Sequence, residues 1–176
     1  MLMLSGIVEN SIVDGPGIRF TIFSQGCPHH CPGCHNQETW PFEGGNPFEP
    51  EDLLGFIRSD PMVRGVTFSG GEPFAQAGDF ARLAKLLKQD GYEVASYTGY
   101  TFEHLLAHGT PEQKELLNSL DVLIDGPFKE EELTLDIRFR GSRNQRILNV
   151  PNSLSAGHPV WEQTRRWIGD EEHPVG

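Results

Sequence analysis

Cys27, Cys31 and Cys34 fall within eight consecutive residues, and the other 168 positions of the 176-residue chain carry no cysteine. A disulfide framework would use an even count, spread along the chain to close long loops. Clustered thiols instead predict metal binding or redox chemistry. The segment ahead of them, Gly17 to Gln25, alternates Ile18, Phe20 and Ile22 with Arg19 and Thr21, so it reads as a strand running into a loop, Gly26 to Trp40.

Three thiolates spaced Cys27-x3-Cys31-x2-Cys34 on one irregular loop can each take one iron corner of a cubane cluster. The fourth iron then has no protein ligand, and an open metal position is the mark of a catalytic site. Pro28 and Pro32 stiffen the loop, while Gly26 and Gly33 let it turn sharply. Two other readings stay open. Structural zinc would recruit His29, His30 or His35 as a fourth ligand, although paired C-x2-C elements are absent. A cysteine nucleophile with a nearby histidine would leave two clustered thiols unexplained. His29 and His30 read as residues that cap or line the loop.

Beyond the loop, Pro50 to Arg58 suits a helix with Glu51 and Asp52 near its N-terminus. Gly65 to Ser69 is a short buried strand. Phe80, Leu83, Ala84, Leu86 and Leu87 recur at helical spacing from about Ala75 to Gln89, before a glycine stop at Gly91. Glu93 to Tyr97 and Asp121 to Ile124 are strands, with helical turns between them from Thr101 to Leu106 and from Pro111 to Leu117. Arg146 to Val150 is the last strand.

Strands alternating with helices predict an α/β fold with a mostly parallel sheet. A closed eightfold barrel takes about 250 residues, so a single-domain, open, partial βα barrel is expected. It covers residues 1–150, with the cluster loop at 26–40. Residues 151–176 form a C-terminal extension that matches no motif, with a terminal helix at Trp161 to Ile168, within 160–169. The acidic runs Glu130 to Glu132 and Asp170 to Glu172 read as solvated.

A formal net charge of -11 argues against a nucleic-acid partner, which depends on neutralising phosphates. No apolar stretch approaches the roughly 20 residues of a membrane span. Met1 to Asn10 lacks the basic flank and apolar core of a signal peptide. The expected location is the cytoplasm.

Ser69-Gly70-Gly71-Glu72-Pro73 follows a strand and precedes a helix, which places it at the same strand-end face as the cysteine loop. Adjacent glycines admit a ligand close to the backbone, and Glu72 with outward carbonyls suits a cation such as an ammonium or sulfonium. The alternative is a plain strand-to-helix turn, with Pro73 at the first helical position. Arg138, Arg140, Arg143 and Arg146 crowd nine residues. All four could grip a carboxylate of a ligand or acidic groups on a partner; Arg138 and Arg140 read rather as a solvated strand edge, whereas Arg143 and Arg146 suit either role equally.

Together, Asp14-Gly15-Pro16-Gly17-Ile18-Arg19-Phe20, the run Cys27 to Asn36, Ser69 to Pro73, Tyr97-Thr98-Gly99-Tyr100, Ile124 to Phe128 and Arg140 to Arg146 resemble the radical S-adenosylmethionine (SAM) superfamily. Within it they are most similar to the activating proteins of anaerobic ribonucleoside-triphosphate reductase. The resemblance spans about Gly6 to Val150. It implies that Cys27, Cys31 and Cys34 hold a 4Fe-4S cluster, and that Gly33, Cys34, His35, Gly70, Gly71 and Glu72 contact SAM. Thr98, Asp125 and Arg143 are further cofactor candidates, and Asp14 and Gly15 belong to a partner-facing rim. It also implies a glycine of the large, glycyl-radical reductase protein as substrate, and a one-electron donor such as a flavodoxin or ferredoxin. Competing readings are a radical SAM enzyme acting on a small molecule or on another glycyl-radical enzyme, and a non-enzymatic iron-sulfur or zinc module.

Overall fold

In the computed structural model, which describes residues 1–173, the chain opens with a strand that the sequence reading lacks. This strand, β1 (Leu2–Ser11), turns back through Asp14-Gly15-Pro16-Gly17 and pairs antiparallel with β2 (Arg19–Ser24). Leu2 and Leu4 are fully buried, which makes this end of the chain part of the core. After the cysteine loop come β3 (Asn46–Phe48), α1 (Pro50–Arg58), β4 (Gly65–Gly70) and α2 (Ala77–Gln89). The rest is β5 (Glu93–Tyr97), α3 (Phe102–His108), α4 (Pro111–Asn118), β6 (Val122–Asp125), β7 (Arg146–Asn149), α5 (Val150–Ala156) and α6 (Arg165–Ile168).

All seven strands form one sheet in the order β3-β1-β2-β4-β5-β6-β7. Its centre, β2, β4, β5 and β6, is parallel, with Phe20 beside Val66 and Val66 beside Val94. The outer pairings are antiparallel. β7 reverses because Gly126 to Gln145 returns from β6 without a crossover α-helix, which a parallel neighbour requires.

Local chemistry sets the helix ends. Pro50 opens α1, with Glu51 and Asp52 in its first turn and Arg58 in its last, matching the helix dipole. Thr110 and Gln113 form a reciprocal capping box at the start of α4. A 3-10 turn, Pro73–Gln76, precedes α2, so the α-helix begins two residues later than its apolar spacing suggests.

Both faces of the parallel strands are buried. One carries Phe20, Ile22, Val66, Phe68, Val94 and Leu123 against the helices. The other carries Ala95, Val122, Ile124 and Ile147 against Trp167 and Ile168. Arg19 and Thr21 therefore do not face solvent as simple alternation suggests. The Arg19 guanidinium donates to Thr67 Oγ1 at 2.8 Å and to Glu93 Oε1 at 2.9 Å, and it lies 5.3 Å from the Trp167 ring centroid.

The C-terminal extension is woven into this second face. Val160 accepts from Asn149 N and Glu162 N donates to Ile147 O, both at 2.9 Å, which extends the edge of β7. Those backbone pairings hold residues 160–162 extended, so the expected helix from Trp161 shrinks to Arg165–Ile168. The expected solvated tail is likewise corrected at Glu171, which pairs with Arg140. Residues 174–176 of the extension lie outside the described residues. Among the described residues no helix is long and apolar enough to cross a membrane.

Trp167 is 0% exposed and covers Arg19. Trp167→Ala is expected to lower the unfolding free energy by about 3–5 kcal/mol, read as a shifted urea midpoint. An unchanged midpoint would remove the tail from the fold's core.

Candidate functional site

The cysteine loop is closed at its neck before any ligand is considered. Gly26 N donates to Thr39 O at 2.6 Å and Cys27 N to Trp40 O at 3.0 Å, joining the two ends of the loop. Gln25 Nε2 adds a bond to Pro41 O at 2.6 Å. His30 stacks on Trp40 with ring centroids 4.7 Å apart, which gives that histidine a packing role. Inside the loop Cys34 N donates to Cys31 O, and Asn36 N donates to Cys34 Sγ at 3.4 Å.

The turn after β4 is joined to this neck. Gly71 N donates to Ser24 O and Glu72 N to Gly26 O, both at 2.8 Å. A Cβ on Gly70 would stand 2.6 Å from Ser24 N, and one on Gly71 would stand 2.4 Å from Gly26 O. The glycines are required first by the approach of β2's backbone. Their remaining surface still borders the cavity described below.

Glu72 departs from its expected role as a ligand contact. Its side chain is 0% exposed and turns inward. Oε1 accepts from Gly99 N at 2.7 Å and from Thr98 Oγ1 at 2.8 Å, and meets His29 Nε2 at 2.6 Å. Oε2 accepts from Phe74 N at 3.0 Å. The carboxylate thus ties the ends of β4 and β5 to the cysteine loop. His29 is anchored further by the edge of Tyr100, 4.6 Å away.

A cavity of about 370 Å³ opens where β2, β4 and β5 end, within the usual range for a small-ligand site. Cys27, Cys31, Cys34, His35, Gly70, Gly71, Thr98 and Asp14 all line it. Burial pushes the Cys27 and Cys31 thiols up from their ordinary value, so metal loading there must displace protons. All three cysteines are free. A cluster carries each thiolate on a separate iron, so three thiols facing one cavity fit it. Among the described residues no three His, Cys, Asp or Glu side chains gather as a single-ion site would need.

Other expected residues lie elsewhere. Gly33, at φ 76°, has the Glu130 side chain on its Cβ side and does not line the cavity. Gly15 is buried beneath Arg19 and Trp167 rather than facing a partner. Asp125 is fully buried, accepting from Arg146 Nε at 2.9 Å and from Phe102 N at 2.8 Å. Burial pushes its carboxyl up, and Arg146 opposes the shift. Arg146 bridges Asp125 and Glu103, and Arg143 is exposed and away from the cavity.

Sequence reasoning weighs a carboxylate-gripping role for Arg140 and sets it aside. Read as a solvated edge, its side chain is 2% exposed and lines the cavity beside Phe139 and Tyr97. Its acidic partner stands 31 residues away, so no local pattern could signal it. Tyr97 donates to Phe139 O at 2.6 Å, and burial raises its phenol well above the ordinary value.

A family model described as a 4Fe-4S single cluster domain matches residues 13–148. An anaerobic ribonucleoside-triphosphate reductase-activating protein of Vibrio cholerae is 38% identical over 144 residues, covering 77% of this chain and 90% of the relative. Proteins of the same name from Salmonella typhi and Enterobacteria phage T4 are 35% and 34% identical, covering 76% and 77% of this chain and 90% and 86% of theirs. Among solved structures, that of QueE from Escherichia coli overlays 57% of this chain and 53% of its own, with 24% identity and a TM-score of 0.48.

Because the neck and the glycine turn share backbone contacts, Gly71→Val is expected to displace Gly26 and cut iron bound after anaerobic reconstitution several-fold. Wild-type iron content would show that the turn yields without moving the loop. Glu72→Ala leaves Thr98, Gly99 and Phe74 without their acceptor and should cost about 3 kcal/mol or more, measured by denaturant unfolding.

Proposed function

The chain belongs to the family of anaerobic ribonucleoside-triphosphate reductase-activating proteins, and on that premise we propose that it is a radical SAM activase for the large reductase protein. The observation that carries this reading is the meeting of three free thiols and the Gly70-Gly71 turn around one cavity. Cys27, Cys31 and Cys34 would hold a 4Fe-4S cluster, which when bound would supply the one-electron chemistry for reductive cleavage of SAM and, through it, hydrogen abstraction from a glycine of the partner.

The chain's own residues bind, orient and exclude water. Cys27 sits deepest, at 8% exposure, and anchors one corner of the cluster away from solvent. Cys34 carries the Asn36 N–H on its sulfur, which helps orient the thiol toward the cavity it lines. Gly70 and Gly71 present backbone to the ammonium of SAM, while His35 and Thr98 border the same space. Glu72 acts behind them by fixing His29 and the β5 end, so its role is positional.

We read the sheet as a partial barrel left open beside the cysteine loop. That opening admits a polypeptide loop carrying the target glycine, with Asp14 at the rim. The reducing electron comes from a flavodoxin or ferredoxin, and the reaction takes place in the cytoplasm.

Anaerobically reconstituted protein given SAM and a strong reductant is expected to release 5′-deoxyadenosine, and to produce a glycyl-radical EPR signal when the large reductase protein is added. Cys31→Ser should lower 5′-deoxyadenosine release at least a hundredfold. Turnover retained in that variant would take Cys31 out of the ligand set. Cleavage without a radical on the reductase would favour a small-molecule substrate.

A further inference from the structure

The family model ends at residue 148, yet the segment beyond it packs against Arg140, a residue of the cavity lining. Among the described residues lining the cavity, Arg140 is the only lysine or arginine. Its guanidinium is held from behind on three sides. Nε donates to Arg138 O at 3.0 Å, Nη2 is paired with Glu171, and the Trp161 ring lies 5.5 Å away. Two of those three supports, Trp161 and Glu171, belong to the C-terminal segment. The segment is itself anchored by the backbone bonds to β7 and by Trp167, whose ring stands edge-on to Phe139 at 5.5 Å.

A guanidinium with 2% side-chain exposure is costly to keep charged unless it is paired and hydrogen-bonded. Glu171 offsets that cost from the protein side, and no partner within the protein takes Nη1 of this cavity-lining residue among the described residues. A planar fork with one edge fixed is pre-organised for a second, carboxylate-bearing ligand.

We propose that the C-terminal segment is part of the active site: Glu171 and Trp161 are positioning residues that seat Arg140 to bind the carboxylate of SAM. This rests on the SAM reading above. Arg140 touches the ligand; Glu171 and Trp161 act through it.

The test compares affinities of the full-length, cluster-loaded protein for SAM and for decarboxylated SAM, which keeps the sulfonium and adenosine but lacks the carboxylate. Arg140→Lys and Glu171→Gln are each expected to weaken SAM about tenfold and to leave decarboxylated SAM within twofold of wild type. Iron content should match wild type in both variants. Equal weakening of the two ligands, unchanged SAM affinity, or loss of the cluster would each overturn the proposal, leaving the segment a structural buttress. If wild-type protein itself bound no SAM, the failure would lie with the functional reading instead.

Discussion

The Glu72 carboxylate accepts from the backbone of Phe74 and Gly99 and from the Thr98 hydroxyl, and it meets His29 within the cysteine loop. Three chain segments distant in sequence are thereby fixed to one another at the ends of parallel strands. A buried carboxylate is tolerable only when its lone pairs are filled this way. The cavity exists because these loops converge, and they converge on this group. Peripheral ion pairs such as Arg82 with Glu51 lie on the surface, where such pairs contribute little.

Much of the architecture was legible because it is written in local periodicity. The strand Glu93–Tyr97 and the helix Pro50–Arg58 fall where apolar spacing and helix-end residues place them. β1 was not legible, since its role depends on pairing with β2 and β3 rather than on a pattern of its own. Arg19 shows the limit of alternation: its strand is covered on both faces, so a charged residue in the polar register is buried and satisfied at long range by Thr67 and Glu93.

The candidate site divides along the same line. Three cysteines at short spacing on one loop announce themselves, and the structure sets all of them on one cavity. Glu72 stands out in the sequence beside two glycines, but its direction could not be read from the chain. Whether a carboxylate faces a ligand or the protein depends on donors at Thr98 and Gly99, 26 and 27 residues away. Arg140 depends on a partner further off still. Residues whose meaning comes from a long-range contact are those that sequence reasoning misplaced or overlooked.

The neck formed by Gly26, Cys27, Thr39 and Trp40 separates folding from assembly. A segment whose ends are already clasped by main-chain bonds has lost most of its closure entropy before iron arrives. The path of the loop is therefore set by its own main-chain bonds rather than by whatever the thiols hold. Small metal domains whose ligands meet only around the ion instead fold as they bind it.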